Sequence, residues 1–366
     1  MLVAACGGGS NRRTSPSPSA EVASTAPAGS DATLGLELPE GFRAEYFAQG
    51  LNSPTAMAFG PDGLLYLTQT NGRENARLGQ VVVVEGRNVV PRALLSGLTK
   101  PTGLAWVGND LYIVAGRDVL RSSLGEDGAL SKPAAVVREL PYNGRSEGQI
   151  ELLPDGRLLF EASGSLGDKE SGVLLTMRPG DARPKVLATG LKNAYGYAVE
   201  PGRDAAAPEI YVTEIAEEQV DRQAPPDELN LIRSGEDYGW PRCYGARQVA
   251  RDRGGSPEDC ARTSPAVFDF PPQSTPVGLT YYARDDFPEG YRDVLYAAMW
   301  NGAPPTVERI QVARSGGEAQ GMSSPFIEGM ARPIDVLPHP DGGLLAADQE
   351  TGVVYRVFAA EATSGP

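Results

Sequence analysis

The sequence predicts an all-β chain closed into a six-bladed β-propeller of four-stranded antiparallel blades, preceded by a disordered tether. Three observations predict it. A short phrase recurs six times: a Gly-Leu or Gly-Met step, a Pro-containing turn, a hydrophobic strand, a turn often spelled Pro-Asp-Gly, and a second hydrophobic strand. Gly50, Gly97, Gly144 and Gly190 stand 47, 47 and 46 positions apart, near the period of roughly 40 to 50 of a propeller blade. The hydrophobic runs are short, rich in Val, Leu and Tyr, and never keep helical spacing over several turns, so helical and leucine-rich repeats fit poorly. A large β-sandwich is the competing architecture; ring closure has the advantage of hiding all but short strand edges.

The copies follow in order. The first has Gly50 to Pro54, a strand from Ala56 to Phe59, the turn Pro61-Asp62-Gly63 and a strand from Leu64 to Thr68. The second runs from Gly97 to Pro101, then Leu104 to Trp106, the turn at Gly108 to Asp110, and Leu111 to Val114. The third, without the opening Pro, has Gly148 to Leu153, Pro154-Asp155-Gly156 and Arg157 to Phe160. The fourth starts at Gly190, passes Tyr195 to Val199 and resumes at Glu209 to Val212; the fifth pairs Thr275 to Tyr282 with Asp293 to Tyr296. The sixth is Gly329 to Leu337, His339 to Gly342 and Leu344 to Ala347. Each has the punctuation of an antiparallel pair. The propeller is expected over residues 35–358, with an insertion at about 214–274 between copies four and five and a flexible tail at 359–366.

Leu2 to Cys6 has the apolar, small, small, Cys order of a bacterial lipoprotein cleavage site, so residues 1–6 read as the end of a signal peptide with lipidation at Cys6. Residues 7–34 are rich in Gly, Ser and Pro, show no apolar period and cannot form a core, as expected of a stalk. The expected location is therefore the cell envelope, with the membrane touched only through a lipid anchor at Cys6. No other stretch is long and apolar enough to span a bilayer. In an exported chain, Cys243 and Cys260 read as a disulfide closing a surface loop of the insertion. The net charge of -14 excludes nucleic acid as a partner, because replacing its counterions needs a basic footprint.

The densest motif runs from Pro225 to Gly245. Asp227 and Glu228 offer oxygen ligands, Glu228 to Ile232 reads as a strand, and Gly235 to Pro241 as a rigid aromatic turn. This segment resembles the soluble quinoprotein glucose dehydrogenase and sorbosone dehydrogenase family, six-bladed propellers that hold pyrroloquinoline quinone and calcium. The resemblance extends over about residues 37 to 357: Leu38 to Phe42, Met57 to Gly63, Gly190 to Gly196, Ala331 to Asp335 and Val353 to Val357 are similar to family segments.

The resemblance implies oxidation of an aldose or related sugar at the central mouth. Lys192, Asn193 and Arg332 match positions that contact the quinone, while Ala216, Glu217, Asp227 and Glu228 become the candidate calcium ligands. The family's catalytic His falls on Arg145, whose guanidinium stays protonated and cannot accept a proton near neutrality; Glu147 is the nearby substitute. The cation expected after the second strand of blade five falls near Met299 to Gly302, where no Lys or Arg appears. The chain's one histidine, His339, is expected to be a solvated turn residue. Two other readings stay open: a propeller that binds carbohydrate or protein without catalysis, and a calcium-dependent lactone or ester hydrolase.

Overall fold

A computed structural model describes residues 33–72, 76–87, 89–144, 147–202, 207–316 and 318–360. Six antiparallel sheets of four strands form the blades of a β-propeller, each wound from an inner to an outer strand. Blade one has Pro54–Phe59, Leu65–Gln69, Gly79–Val84 and Arg92–Leu98; blade two has Pro101–Val107, Asp110–Ala115, Asp118–Ser123 and Ala134–Val137. Blade three has Glu151–Leu152, Leu158–Ala162, Val173–Met177 and Lys185–Thr189; blade four has Ala194–Glu200, Glu209–Glu214, Asp227–Ile232 and Phe268–Phe270. Blade five has Pro276–Tyr282, Val294–Met299, Thr306–Ser315 and Glu318–Glu328. In blade six, Pro333–Pro338, Leu344–Asp348 and Val353–Ala359 come from the end of the chain, and the outermost strand, Phe42–Ala48, comes from its beginning. Phe42 pairs with Ala359 and Tyr46 with Tyr355, so one blade is stitched from both ends of the ring.

Every repeated phrase became the two inner strands of a blade. Those strands are buried on both faces, as in Leu65–Gln69 and Val294–Met299, which is why they read as continuous apolar runs. Burial of this apolar surface between blades is the main stabilising term, at roughly 25 cal/mol per Å². Where inner strands converge on the axis, side chains would collide. A Cβ at Gly103 would lie 2.7 Å from the Gln149 Cα, and one at Gly278 would lie 2.5 Å from the Asp335 Cα. Glycine at these positions lets neighbouring blades close around a narrow channel. Side-chain hydroxyls then tie blade to blade: Thr55 donates to the Pro101 carbonyl at 2.7 Å and Thr102 to that of Gly148 at 3.1 Å.

The insertion lies inside blade four, on both sides of the strand Asp227–Ile232, and not between two complete blades. It carries a two-residue hairpin, Cys243–Tyr244 with Gln248–Val249, and a single helical turn, Pro257–Cys260. Ser256 caps that turn by accepting from the Asp259 amide at 3.1 Å. Cys243 and Cys260 form the expected disulfide, with Cα atoms 5.5 Å apart. Cys6 and the stalk lie outside the described residues.

His339 corrects the expectation of a solvated residue. Its ring is buried, set edge-on against Phe47 and Phe59, and its Nδ1 accepts from the Asp341 amide at 3.0 Å. Burial, aided by the positive Arg356, holds the imidazole below its ordinary pKa. It closes the last Pro-Asp-Gly turn as a neutral acceptor.

Candidate functional site at the channel mouth

The inner strands begin at one face of the ring, and the loops before them surround a cavity of about 330 Å³. Thr55, Thr102, Tyr195, Val277 and Ile334, from five different blades, line it, with Lys100, Asn193, Trp300 and Gln349 among the loop residues. A second cavity of about 490 Å³ adjoins it at Asn193 and Ile215 and is lined by Lys192, Ala216, Glu217 and Glu218. Among the described residues lining the first cavity there is no carboxylate and no imidazole.

Buried carboxylates set the backbone of this face. Glu161, on the second strand of blade three, accepts from the amides of Ala194 and Gly148 at 2.6 and 2.8 Å and from the Asn193 side chain. Burial and the neighbouring Glu147 push its pKa well up. Glu214 accepts from the Lys192 amide, which places Lys192 and Asn193 in adjoining anchors. Asp348 does the same for blade six, accepting from the amides of Ala331 and Arg332 at 2.8 and 3.2 Å.

Lys192 and Asn193 border the cavities of the mouth, Arg332 lies against Trp300 without lining either cavity, and each is already engaged. The Lys192 ammonium donates to the Gly164 carbonyl at 2.6 Å, faces Glu217 at 3.5 Å and lies 5.4 Å from the Trp240 ring. The Arg332 guanidinium stacks on Trp300 at 4.3 Å and pairs with Glu350 at 2.9 Å. Trp300 itself donates to Gln349 at 2.7 Å. An aromatic face thus occupies the fifth-blade position where a cation was sought.

Of the four candidate calcium residues, Ala216, Glu217 and Glu228 line one small cavity of about 20 Å³ together with Glu214, and Asp227 does not border it. Asp227 accepts from the amides of Ala216 and Thr275, both at 2.8 Å, and so pins blade four to blade five. Glu228 accepts from the Gly245 amide and the Asn230 side chain, anchoring the insertion. Both are buried, and their oxygens serve the backbone. Only Ala216 and Glu217 of the four border the second cavity. Among the described residues no group of three or more His, Cys, Asp or Glu is arranged to hold a metal.

Arg145 lies outside the described residues. Glu147 is only 1% exposed, and its oxygens accept from the Ser163 amide and hydroxyl at 3.1 and 3.2 Å. Burial pushes its pKa up to about 8. That would suit a general base in energy, but the carboxyl is buried and already held by Ser163.

Lys100, Trp300 and Gln349 were not singled out from sequence. A signal for Lys100 exists: in copies two and six the residue before the inner-strand proline is a cation, Lys100 before Pro101 and Arg332 before Pro333.

Similarity to known proteins agrees with this architecture. An uncharacterized protein of Borreliella burgdorferi is 22% identical, over 90% of this chain and 93% of its own length. The PQQ-bound aldose sugar dehydrogenase of Streptomyces coelicolor superimposes with a TM-score of 0.63 at 22% identity, covering 88% of this chain and 100% of that one. The holo PQQ domain of pyranose dehydrogenase from Coprinopsis cinerea gives 0.65 at 14% identity, covering 88% and 97%. At these identities the solved structures speak for the fold. The family model for glucose / sorbosone dehydrogenase matches residues 174–356, half of the chain, and the chain belongs to that family.

Proposed function

We propose that this protein holds a flat polycarboxylate quinone of the pyrroloquinoline quinone class at the channel mouth and acts on an aldose or related sugar there, with slow turnover. The observation that carries the binding half is the donor set. Lys100 lines the first cavity and Lys192 the second, Arg332 stacks on Trp300 beside them, Asn193 and Gln349 add amides, and Trp300 supplies an aromatic face. That chemistry fits a planar ligand with several carboxylates, since charge-assisted hydrogen bonds are the strong ones and an indole favours stacking. The exposed Arg332–Glu350 pair, with side chains 38% and 61% accessible, is worth at most about 1 kcal/mol, so it can exchange for a ligand carboxylate. Backbone oxygens near Ala216 and the carboxylate of Glu217 are the groups placed to add calcium, a cation that prefers hard oxygen ligands.

When bound, the quinone supplies the acceptor for a hydride. The protein must then take the proton of the sugar hydroxyl, and here the site is poor. The described residues lining the first cavity offer no imidazole or carboxylate, the carboxylates Glu217, Glu218 and Asp252 line only the adjoining one, and Glu147 is enclosed. Lack of a positioned base costs roughly 10²- to 10⁴-fold in rate. Reconstitution with pyrroloquinoline quinone and Ca²⁺, followed by dye reduction with a panel of aldoses, tests this reading. Measurable but slow, sugar-dependent reduction is expected; neither quinone binding nor turnover would remove the reading.

The same missing proton acceptor favours a second reading, a non-catalytic propeller that binds carbohydrate at the mouth. Saturable glycan binding with no change in quinone redox state would select it. Lipidation at Cys6 completes the proposal, and its test is incorporation of a labelled fatty acid that a Cys6→Ser variant loses.

A further inference from the structure

We infer that Lys100 supplies the third cation for a ligand carboxylate at the mouth, standing on blade two in place of the one blade five lacks; the inference rests on the quinone reading above. Lys100 and Arg332 occupy the same slot of their repeats, directly before Pro101 and Pro333. Lys192 comes one position earlier in blade four, beside Asn193. Blades two, four and six alternate around the ring, so the three backbone positions stand roughly a third of a turn apart, as radial repetition dictates; Lys100 lines the first cavity and Lys192 the second, while the Arg332 guanidinium lies against Trp300.

Blade five stands opposite blade two, and its largest contribution to the same cavity, beside Thr275 and Val277, is Trp300, backed by the Arg332 guanidinium. An aromatic wall facing an ammonium suits a flat ring system bearing an acid group, and two facing cations would have suited it less. The left-handed backbone at Lys100, φ +40°, recurs at Ser53 and Thr275 before Pro54 and Pro276, at +54° and +55°, so it belongs to the slot and Lys100 is distinguished by its side chain. The whole chain carries -14, yet no carboxylate is among the described residues lining this cavity. Lys100 is the one charged side chain among the described residues lining it, and a cation without a carboxylate in the same wall lowers the cost of bringing in an anion.

The test is equilibrium titration with pyrroloquinoline quinone in calcium buffer, followed by quinone absorbance and by tryptophan quenching, for wild type, Lys100→Met, Lys100→Arg and Lys185→Met. Lys185 is exposed on the outer strand of blade three and controls for the change in net charge. Loss of one charged hydrogen bond predicts about tenfold to a hundredfold weaker binding by Lys100→Met, near-wild-type binding by Lys100→Arg and none of this loss in Lys185→Met. Lys100→Arg also guards against misfolding, because it keeps length and charge. Wild-type affinity in Lys100→Met, or an equal loss in Lys185→Met, would overturn the inference while leaving the quinone reading standing. Absence of quinone binding by the wild type overturns both.

Discussion

The two ends of the central channel are built from the same six inner strands and have opposite chemistry. At the mouth the wall carries Lys100, Trp300 and Gln349 with hydroxyls and amides. At the other end a cavity of about 360 Å³ is lined by Glu151, Asp335 and Gln149. Burial pushes Asp335 up to about 7, and burial with the charge of Asp335 pushes Glu151 up to about 8. Gln149 of blade three donates to Asp335 of blade six at 2.8 Å, bridging opposite sides of the ring between the two compartments. The difference is one of position along the strand. Strand starts receive loops of varied sequence and can be specialised for a ligand, whereas strand interiors must satisfy the neighbouring blades.

Breaking the lower end should therefore cost stability, and altering the mouth should cost binding. The largest effect is expected for Asp335→Ala, because this carboxyl accepts from the Met57 amide at 2.7 Å as well as from Gln149. Orphaning buried donors costs about 1 to 3 kcal/mol each, so chemical denaturation should show a loss of about 3 kcal/mol with little change in quinone affinity. Glu151→Gln comes next and has a sign. The folded protein keeps a proton on Glu151 up to about pH 8, while the unfolded chain releases it near pH ~4.3. The folded state binds more protons between those values, so wild-type stability falls as pH rises through them. Glu151→Gln should match wild type near pH 4 and exceed it by a margin that grows as pH rises toward 8; a variant tracking wild type at both would refute the assignment.

Mouth substitutions should show the reverse pattern. Arg332→Met is expected to weaken quinone binding about tenfold and leave the denaturation midpoint almost unchanged, since its pair with Glu350 is exposed. The smallest effect is expected for Trp300→Lys, which exchanges the aromatic face for a second cation opposite Lys100 and should weaken quinone binding about threefold, the scale of one stacking contact. Titration of both variants beside Asp335→Ala separates the two ends of the channel.

Most of the scaffold was legible because turn chemistry and burial agree. Pro61-Asp62-Gly63 and its counterparts mark hairpins, and the two strands flanking each are apolar on both faces. Outer strands were less legible: Ala134–Val137 and Lys185–Thr189 are short and largely exposed, so no periodicity singles them out. Asp227 and Glu228 stood out as a motif, but residue type cannot tell an oxygen that awaits a cation from one that accepts Ala216 or Gly245 amides. His339 was misjudged because its turn is closed by Phe47 and Phe59, both from the other end of the chain. Lys100 escaped because its role emerges from comparing copies around the ring, a relation between blades that linear spacing does not express.

The central claim is that the mouth is a cationic seat for an acidic quinone. Its most direct test is the stoichiometry and salt dependence of pyrroloquinoline quinone binding to the wild-type protein with Ca²⁺ present. The account predicts one quinone per chain, with affinity falling as ionic strength rises because the pairs are screened. No saturable binding, or binding indifferent to salt and unchanged in Arg332→Met, would contradict it.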